Sequence, residues 1–236
     1  MGVSCDVHAD RQDGVRREAG SRRLRLAEFA ALFFAVPLLL AYRVIPVHII
    51  PFLIAVALVC FVVLMCGRRF RRRRLWDTSH FFPQLARVLA LFVVACWIMT
   101  GAVAWLLPAY FLSLVRQRPA LWQLIMMLYP LLSVYPQEVI YRGFLFHRYR
   151  ALFPKPWMMV CASAVTFGFV HIIFWNWVAV GLSLLGGLIF ARTYQRTASL
   201  LMTSIEHSLY GCLIFTVGLG EYFIPGILRT AGGLAG

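Results

Sequence analysis

The chain has 236 residues, of which 61% are hydrophobic and 14% charged, with a mean hydropathy of +0.78. Soluble domains hold roughly 45–50% apolar and about 25% charged residues, so this composition excludes a large water-exposed domain and predicts a polytopic membrane protein. The formal net charge of +14 raises nucleic acid as a partner, but the arginines flank apolar runs, which sets nucleic acid aside in favour of anionic lipid.

In chain order, residues 1–25 form a polar basic tail with Arg11, Arg16, Arg17, Arg22, Arg23 and Arg25. The polar start is too long for a cleavable signal peptide, and Asp6 stands where N-myristoylation needs Ser or Thr. Apolar runs then predict spanning helices near 26–42, 44–66, 85–107, 121–146, 156–174, 177–191 and 198–217, with a weaker eighth near 220–235. The expected fold is an all-α, polytopic integral membrane bundle of about 7–8 transmembrane helices. Its parts are the tail, N-terminal transmembrane helices at 26–110, a core at 119–217 and a C-terminal segment at 218–236.

Basic clusters at 68–74, at Arg148, Arg150 and Lys155, and at Arg192 and Arg196 share one side of such a bundle, with only Arg43, Arg116 and Arg118 on the other. The positive-inside bias puts the N-terminus in the cytoplasm. The six cysteines form no CxxC pair, and all but Cys5 lie in apolar runs, so neither disulfides nor a metal cluster is expected. Gly181, Gly186 and Gly187 fit close helix approach, and Trp157, Trp175 and Trp177 fit an aromatic belt. His8, His48, His80 and His147 lie in tails or at interfaces, where solvated roles are usual.

Ionisable groups inside spans cost at least about 2.5 kcal/mol each, so each needs a reason. The fourth predicted span carries Gln137, Glu138, Tyr141 and Arg142, the fifth ends on Phe167-Gly168-Phe169-Val170-His171, and the seventh carries Glu206 and His207. Glu138 and Arg142 are spaced i,i+4 and should pair. Pro136 suits a first helical turn, so the span is expected to break there and restart, leaving Gln137 and Glu138 near a positive helix N-terminus. Carboxylates and imidazoles from three helices predict one wet cavity, with the parts needed to deprotonate a water and stabilise an oxyanion.

The order Gln-Glu-x-x-x-Arg-Gly-Phe from Gln137, Phe-x-x-x-His from Phe167, and Ser-Leu followed by His207 resembles the CAAX protease and bacteriocin-processing family of intramembrane endopeptidases. That family is written with Glu-Glu-x-x-x-Arg, Phe-x-x-x-His and His-x-x-x-Asn. The run from Phe190 to Leu200 also looks like the family's Tyr-x-Arg-Thr-Gly-Ser-Leu lead-in to its last histidine. The likeness spans about 121–216 and makes 119–217 a CAAX-protease-like catalytic core.

Two positions depart from the pattern: Gln137 stands for the first glutamate and Gly211 for the asparagine. Glutamine accepts no proton at neutral pH. The resemblance implies an endopeptidase cleaving near the membrane surface. Its base would be Glu138, or Glu206 beside His207, acting with His171 on a water. His207 would donate to the oxyanion, Arg142 would hold Glu138, and Gln137 and Tyr141 would contact substrate. No cofactor is implied; zinc on two histidines and a carboxylate is second choice, since no HExxH is present. Expected partners are membrane lipid and a peptide or lipidated protein substrate. The rival reading is an inactive relative acting as a membrane scaffold, immunity or partner-binding protein, and a third is a transporter using the buried charges as a proton relay.

Overall fold

The computed structural model describes residues 20–67, 70–78 and 81–224, and among them every regular element is helical. The long helices are α1 (Gly20–Ala41), α2 (Ile49–Cys66), α3 (Phe81–Leu106), α4 (119–148), α5 (Pro156–Phe174), α6 (Trp177–Thr197) and α7 (Leu200–Val217), with short helical turns at Arg72–Leu75 and Ser113–Gln117. All but α4 are long and apolar enough by themselves to cross a membrane. Helix α4 is one uninterrupted helical run whose α-helical register is broken by two π turns. The protein is therefore an integral, multi-pass, all-α membrane bundle. Leu219–Tyr222 is a single 3-10 turn that gives way to non-helical Phe223 and Ile224; residues 225–235 of the eighth helix expected near 220–235 lie outside the described residues, as do residues 1–19 of the expected tail.

Local chemistry sets the helix ends. Arg43 takes a left-handed φ of 54° and Pro46 follows, so α2 begins at Ile49, later than the apolar run from 44 suggests. Asn176 caps α6 by accepting from the Ala179 N–H at 2.8 Å, and Ser199 caps α7 by accepting from Met202 at 3.3 Å. Three π turns occur among the described residues, at Ala31–Ala35, Pro130–Val134 and Val139–Phe144, and the first two run just ahead of a proline (Pro37 and Pro136). A proline removes an N–H and crowds the preceding turn, and a widened turn relieves both effects.

The break expected at Pro136 does not occur. Val134, with φ −63° and ψ −58°, and Glu138, with φ −64° and ψ −37°, are both right-handed helical, so Gln137 and Glu138 sit mid-helix. The π turn ahead of Pro136 absorbs the missing N–H without ending the helix.

An aromatic cluster of Phe29, Phe33 and Tyr149 joins α1 to the end of α4, with ring centroids 5.2–5.9 Å apart. Beside it Glu28 takes a bidentate Arg148 at 3.0 and 2.8 Å and the Tyr149 hydroxyl at 2.9 Å. A planar guanidinium fork fixes orientation as well as distance. On the far side, α3 turns Trp97, Ile98 and Trp105 outward, as a lipid-facing helix does, and Trp157, Trp175 and Trp177 are also exposed.

Helices α5 and α6 pack closely through small residues. A Cβ on Gly187 would lie 3.0 Å from the Ala164 Cα, and one on Gly168 would lie 3.0 Å from the Leu184 Cβ. The small-residue expectation thus holds at Gly187 but not at Gly181, which faces open space, nor at Gly186, whose close neighbour is Phe190 on its own helix. Gly187→Leu is expected to cost about 1–3 kcal/mol through overpacking, whereas Gly181→Leu should be neutral. Thermal unfolding of the two variants in detergent checks this.

Candidate active site

The residues of interest come from α4, α5, α6 and α7. Glu138 and Arg142 stand one turn apart on α4, both fully buried, with Arg142 Nη1 3.1 Å from Glu138 Oε1. His207 on α7 brings its Nδ1 to 2.8 Å from the same oxygen. A carboxylate only accepts, so Nδ1 carries the proton and donates. Glu138 therefore fixes the His207 tautomer from behind, while Arg142 supplies the compensating charge.

The guanidinium of Arg142 is held from its faces. Its Cζ lies 4.4 Å from the Phe167 ring centroid and 5.5 Å from that of Phe190, distances at which a buried cation is attracted to the ring quadrupole. His207 stacks on Phe190 at 4.5 Å with a 21° interplanar angle and meets Phe167 edge-on at 5.4 Å. Phe167 also contacts His171, centroid to centroid at 5.0 Å, so one aromatic ring spaces the two imidazoles and the arginine.

The orientation of His171 follows from how α5 ends. Its last turn, His171–Phe174, is 3-10, and the His171 N–H bonds to Gly168, so the Phe167 carbonyl is left without its usual helical partner. That carbonyl accepts instead from His171 Nδ1, at 2.7 Å. With Nδ1 protonated, Nε2 carries the lone pair.

His171, His207, Gln137 and Tyr141 line one cavity of about 1210 Å³, whose walls are otherwise mostly apolar. Gln137 donates from Nε2 to Ser133 Oγ at 2.7 Å, one turn back, which leaves its amide oxygen as an acceptor. The Tyr141 ring packs on Phe33 and Phe167, and its backbone carbonyl takes the Ser163 hydroxyl at 2.9 Å. Glu138 and Arg142 lie behind the wall: neither contributes to the cavity surface, and among the described residues lining it none is Asp or Glu.

The structure also separates Glu206 from this cavity, against the expectation that it would approach the water site. Successive residues on a helix are rotated by about 100°. With His207 turned to the cavity, fully buried Glu206 therefore faces Thr193 of α6 and the outer side of the Glu138–Arg142 pair. Neither of its carboxylate oxygens has a hydrogen bond of good geometry.

Three participants escaped the sequence reading of the site. Phe167 and Phe190 are its aromatic frame; Phe167 opens the Phe-x-x-x-His motif, so the signal for it was in view. Tyr129 is the third: its hydroxyl lies 3.3 Å from His207 Nε2, and its ring packs on Phe215 at 5.4 Å. A sequence hint existed at Gly211, which stands where the family pattern has asparagine: a Cβ there would overlap the hydroxyl end of the Tyr129 ring.

Fold and site together define a multi-pass membrane protein with a buried carboxylate–arginine–histidine centre set against a large apolar cavity. Residues 118–213 match the Rce1-like family, described as type II CAAX prenyl endopeptidase Rce1-like. This is the family that the motifs resemble, and the matched segment, CAAX-protease-like over residues 118–213, carries every residue of the centre. Neither a curated protein nor a solved structure gives a match to the chain.

Proposed function

We propose that the protein is a membrane-embedded endopeptidase in which His171 is the general base. The observation that carries this reading is the arrangement of two imidazoles in one cavity wall. His171 has its Nε2 lone pair left free by the Phe167 carbonyl, and His207 is oriented from behind by Glu138. In this reading the Gln137 amide oxygen accepts one hydrogen bond from a water and His171 Nε2 takes its other proton. The water oxygen bonds to the scissile carbonyl carbon, and the carbonyl π pair moves onto oxygen. On collapse the C–N bond breaks, and the proton held by His171 passes to the leaving amine. Glu138 acts through His207, not directly on the water.

The apolar walls support a substrate presented from lipid, either a hydrophobic peptide segment or a lipidated chain end. The positive-inside bias supports a cytoplasmic N-terminus. Zinc fits the donor set poorly, because the Glu138 oxygen facing His207 is already shared with Arg142 and no group of three metal-binding side chains converges among the described residues.

One observation favours the second reading, a scaffold or partner-binding protein: among the described residues no carboxylate lines the cavity, and Gln137 cannot take a proton. Protein reconstituted in liposomes with a panel of membrane-tethered peptides, with and without a C-terminal prenylcysteine, separates the two. Cleavage that persists in a zinc chelator is the expected result. Binding of these peptides with no cleavage of any would overturn the peptidase in favour of the scaffold.

A further inference from the structure

We infer that Tyr129 is a catalytic residue, the O–H donor that holds the oxyanion of the tetrahedral intermediate; this rests on the peptidase reading above. Its placement is specific. Tyr129 ends the first stretch of α4, and the π turn at Pro130–Val134 begins at the next residue. The wider turn keeps residues four apart close to one line, so Tyr129, Ser133 and Gln137 all line the cavity. Gly211 on α7 is the notch that receives the phenol ring: any side chain there would occupy the space of the ring and its hydroxyl. Phe215, one turn further along α7, closes the other side.

The hydrogen-bond chain supports a donor role. His207 Nδ1–H is committed to Glu138, so Nε2 meets the Tyr129 oxygen at 3.3 Å. With Nδ1 carrying the proton, Nε2 accepts the phenol hydrogen in the resting site, and the same O–H turns to the substrate oxygen as negative charge develops there. Tyr129 keeps its proton throughout: it hydrogen-bonds to the oxygen that receives the carbonyl π pair and releases it when the C–N bond breaks. An O–H aimed at a developing charge in a water-poor wall is the kind of group whose removal costs most in turnover. Gly211 leaves α7 without a polar side chain at that point, and the phenol from α4 occupies the vacated volume.

Tyr129→Phe keeps the ring in its notch and removes only the donor. It is expected to lower kcat about 10²–10³-fold with KM and thermal stability unchanged, the range seen for loss of one oxyanion donor. The double variant Tyr129→Ala with Gly211→Asn opens the space and supplies an amide N–H from α7, and should recover part of the loss. A second readout does not require turnover. A phosphonamidate analogue of the test peptide, which carries a tetrahedral anionic oxygen, should bind wild-type protein more tightly than the peptide itself, and Tyr129→Phe should erase that preference. A wild type that cleaves nothing sinks the peptidase reading and the catalytic role with it, whether or not Tyr129 still binds the analogue. An unchanged kcat in Tyr129→Phe, or an unchanged analogue preference, overturns this inference and leaves the peptidase reading standing.

Discussion

Glu138→Gln should abolish cleavage and destabilise the bundle, and the two effects should separate. The carboxylate is fully buried, takes Arg142 at 3.1 Å and His207 at 2.8 Å on one oxygen, and provides the negative charge in direct contact with both. Removing one partner of a buried ion pair costs about 3–5 kcal/mol, because the remaining charge is left uncompensated. Arg142 has few ways to relax: its guanidinium is enclosed, the Glu206 carboxylate acts on it only from beyond ion-pair contact, and the faces of Phe167 and Phe190 offer a weaker substitute for a counter-charge. The loss should appear as a lower Tm in detergent. Adding Arg142→Met removes the orphaned cation with a chain of similar length and should restore much of the Tm. Turnover should stay absent in the double variant, since an amide at position 138 can accept from His207 Nδ1–H but no longer supplies the negative charge behind it. If the double variant recovers activity together with stability, Glu138 is a packing element and has no role through His207.

The second large effect concerns the base. His171→Ala should reduce kcat by about 10²–10⁴-fold, the usual contribution of a positioned general base. Gln137→Glu in that background should return part of the loss, because it sets a titratable carboxylate in the wall that His171 shares with Gln137. Measuring kcat for wild type, the two single variants and the double variant on one tethered peptide gives a complete cycle. Two outcomes decide against the reading. Full activity in His171→Ala removes the imidazole from the chemistry. An inert wild type that Gln137→Glu turns into an enzyme identifies a scaffold whose centre lacks only the carboxylate.

Much of the molecule was legible before any coordinates. Runs of about 20 apolar residues leave the chain little alternative to spanning helices, since in a membrane each backbone N–H and C=O must be satisfied within its own segment. The cost of burying charge then singled out Glu138, Arg142, His171, Glu206 and His207. The i,i+4 spacing of Glu138 and Arg142 predicted their pairing, a local relation that one helix fixes by itself. A break at Pro136 is the wrong expectation because the π turn at Pro130–Val134 absorbs the proline, and a proline alone does not say whether a helix ends or widens.

The sequence by itself therefore determined the membrane-spanning, all-helical class, the charged residues that the fold must accommodate, and the CAAX-protease-like character of about 121–216. Only the tertiary structure decided which of those residues reach the cavity. Glu206 and His207 are neighbours in the chain, but the rotation between successive helical residues turns one toward α6 and the other toward Glu138. Glu138 and Gln137 are likewise adjacent, yet the carboxylate lies behind the wall and the amide in it. The contact between Tyr129 and His207 joins residues 78 positions apart and depends on a π turn in α4 and a missing side chain on α7. Periodicity within one helix gives the face on which a residue lies. Which face meets which is set by packing between helices, and that is where the chemistry of this site is assembled.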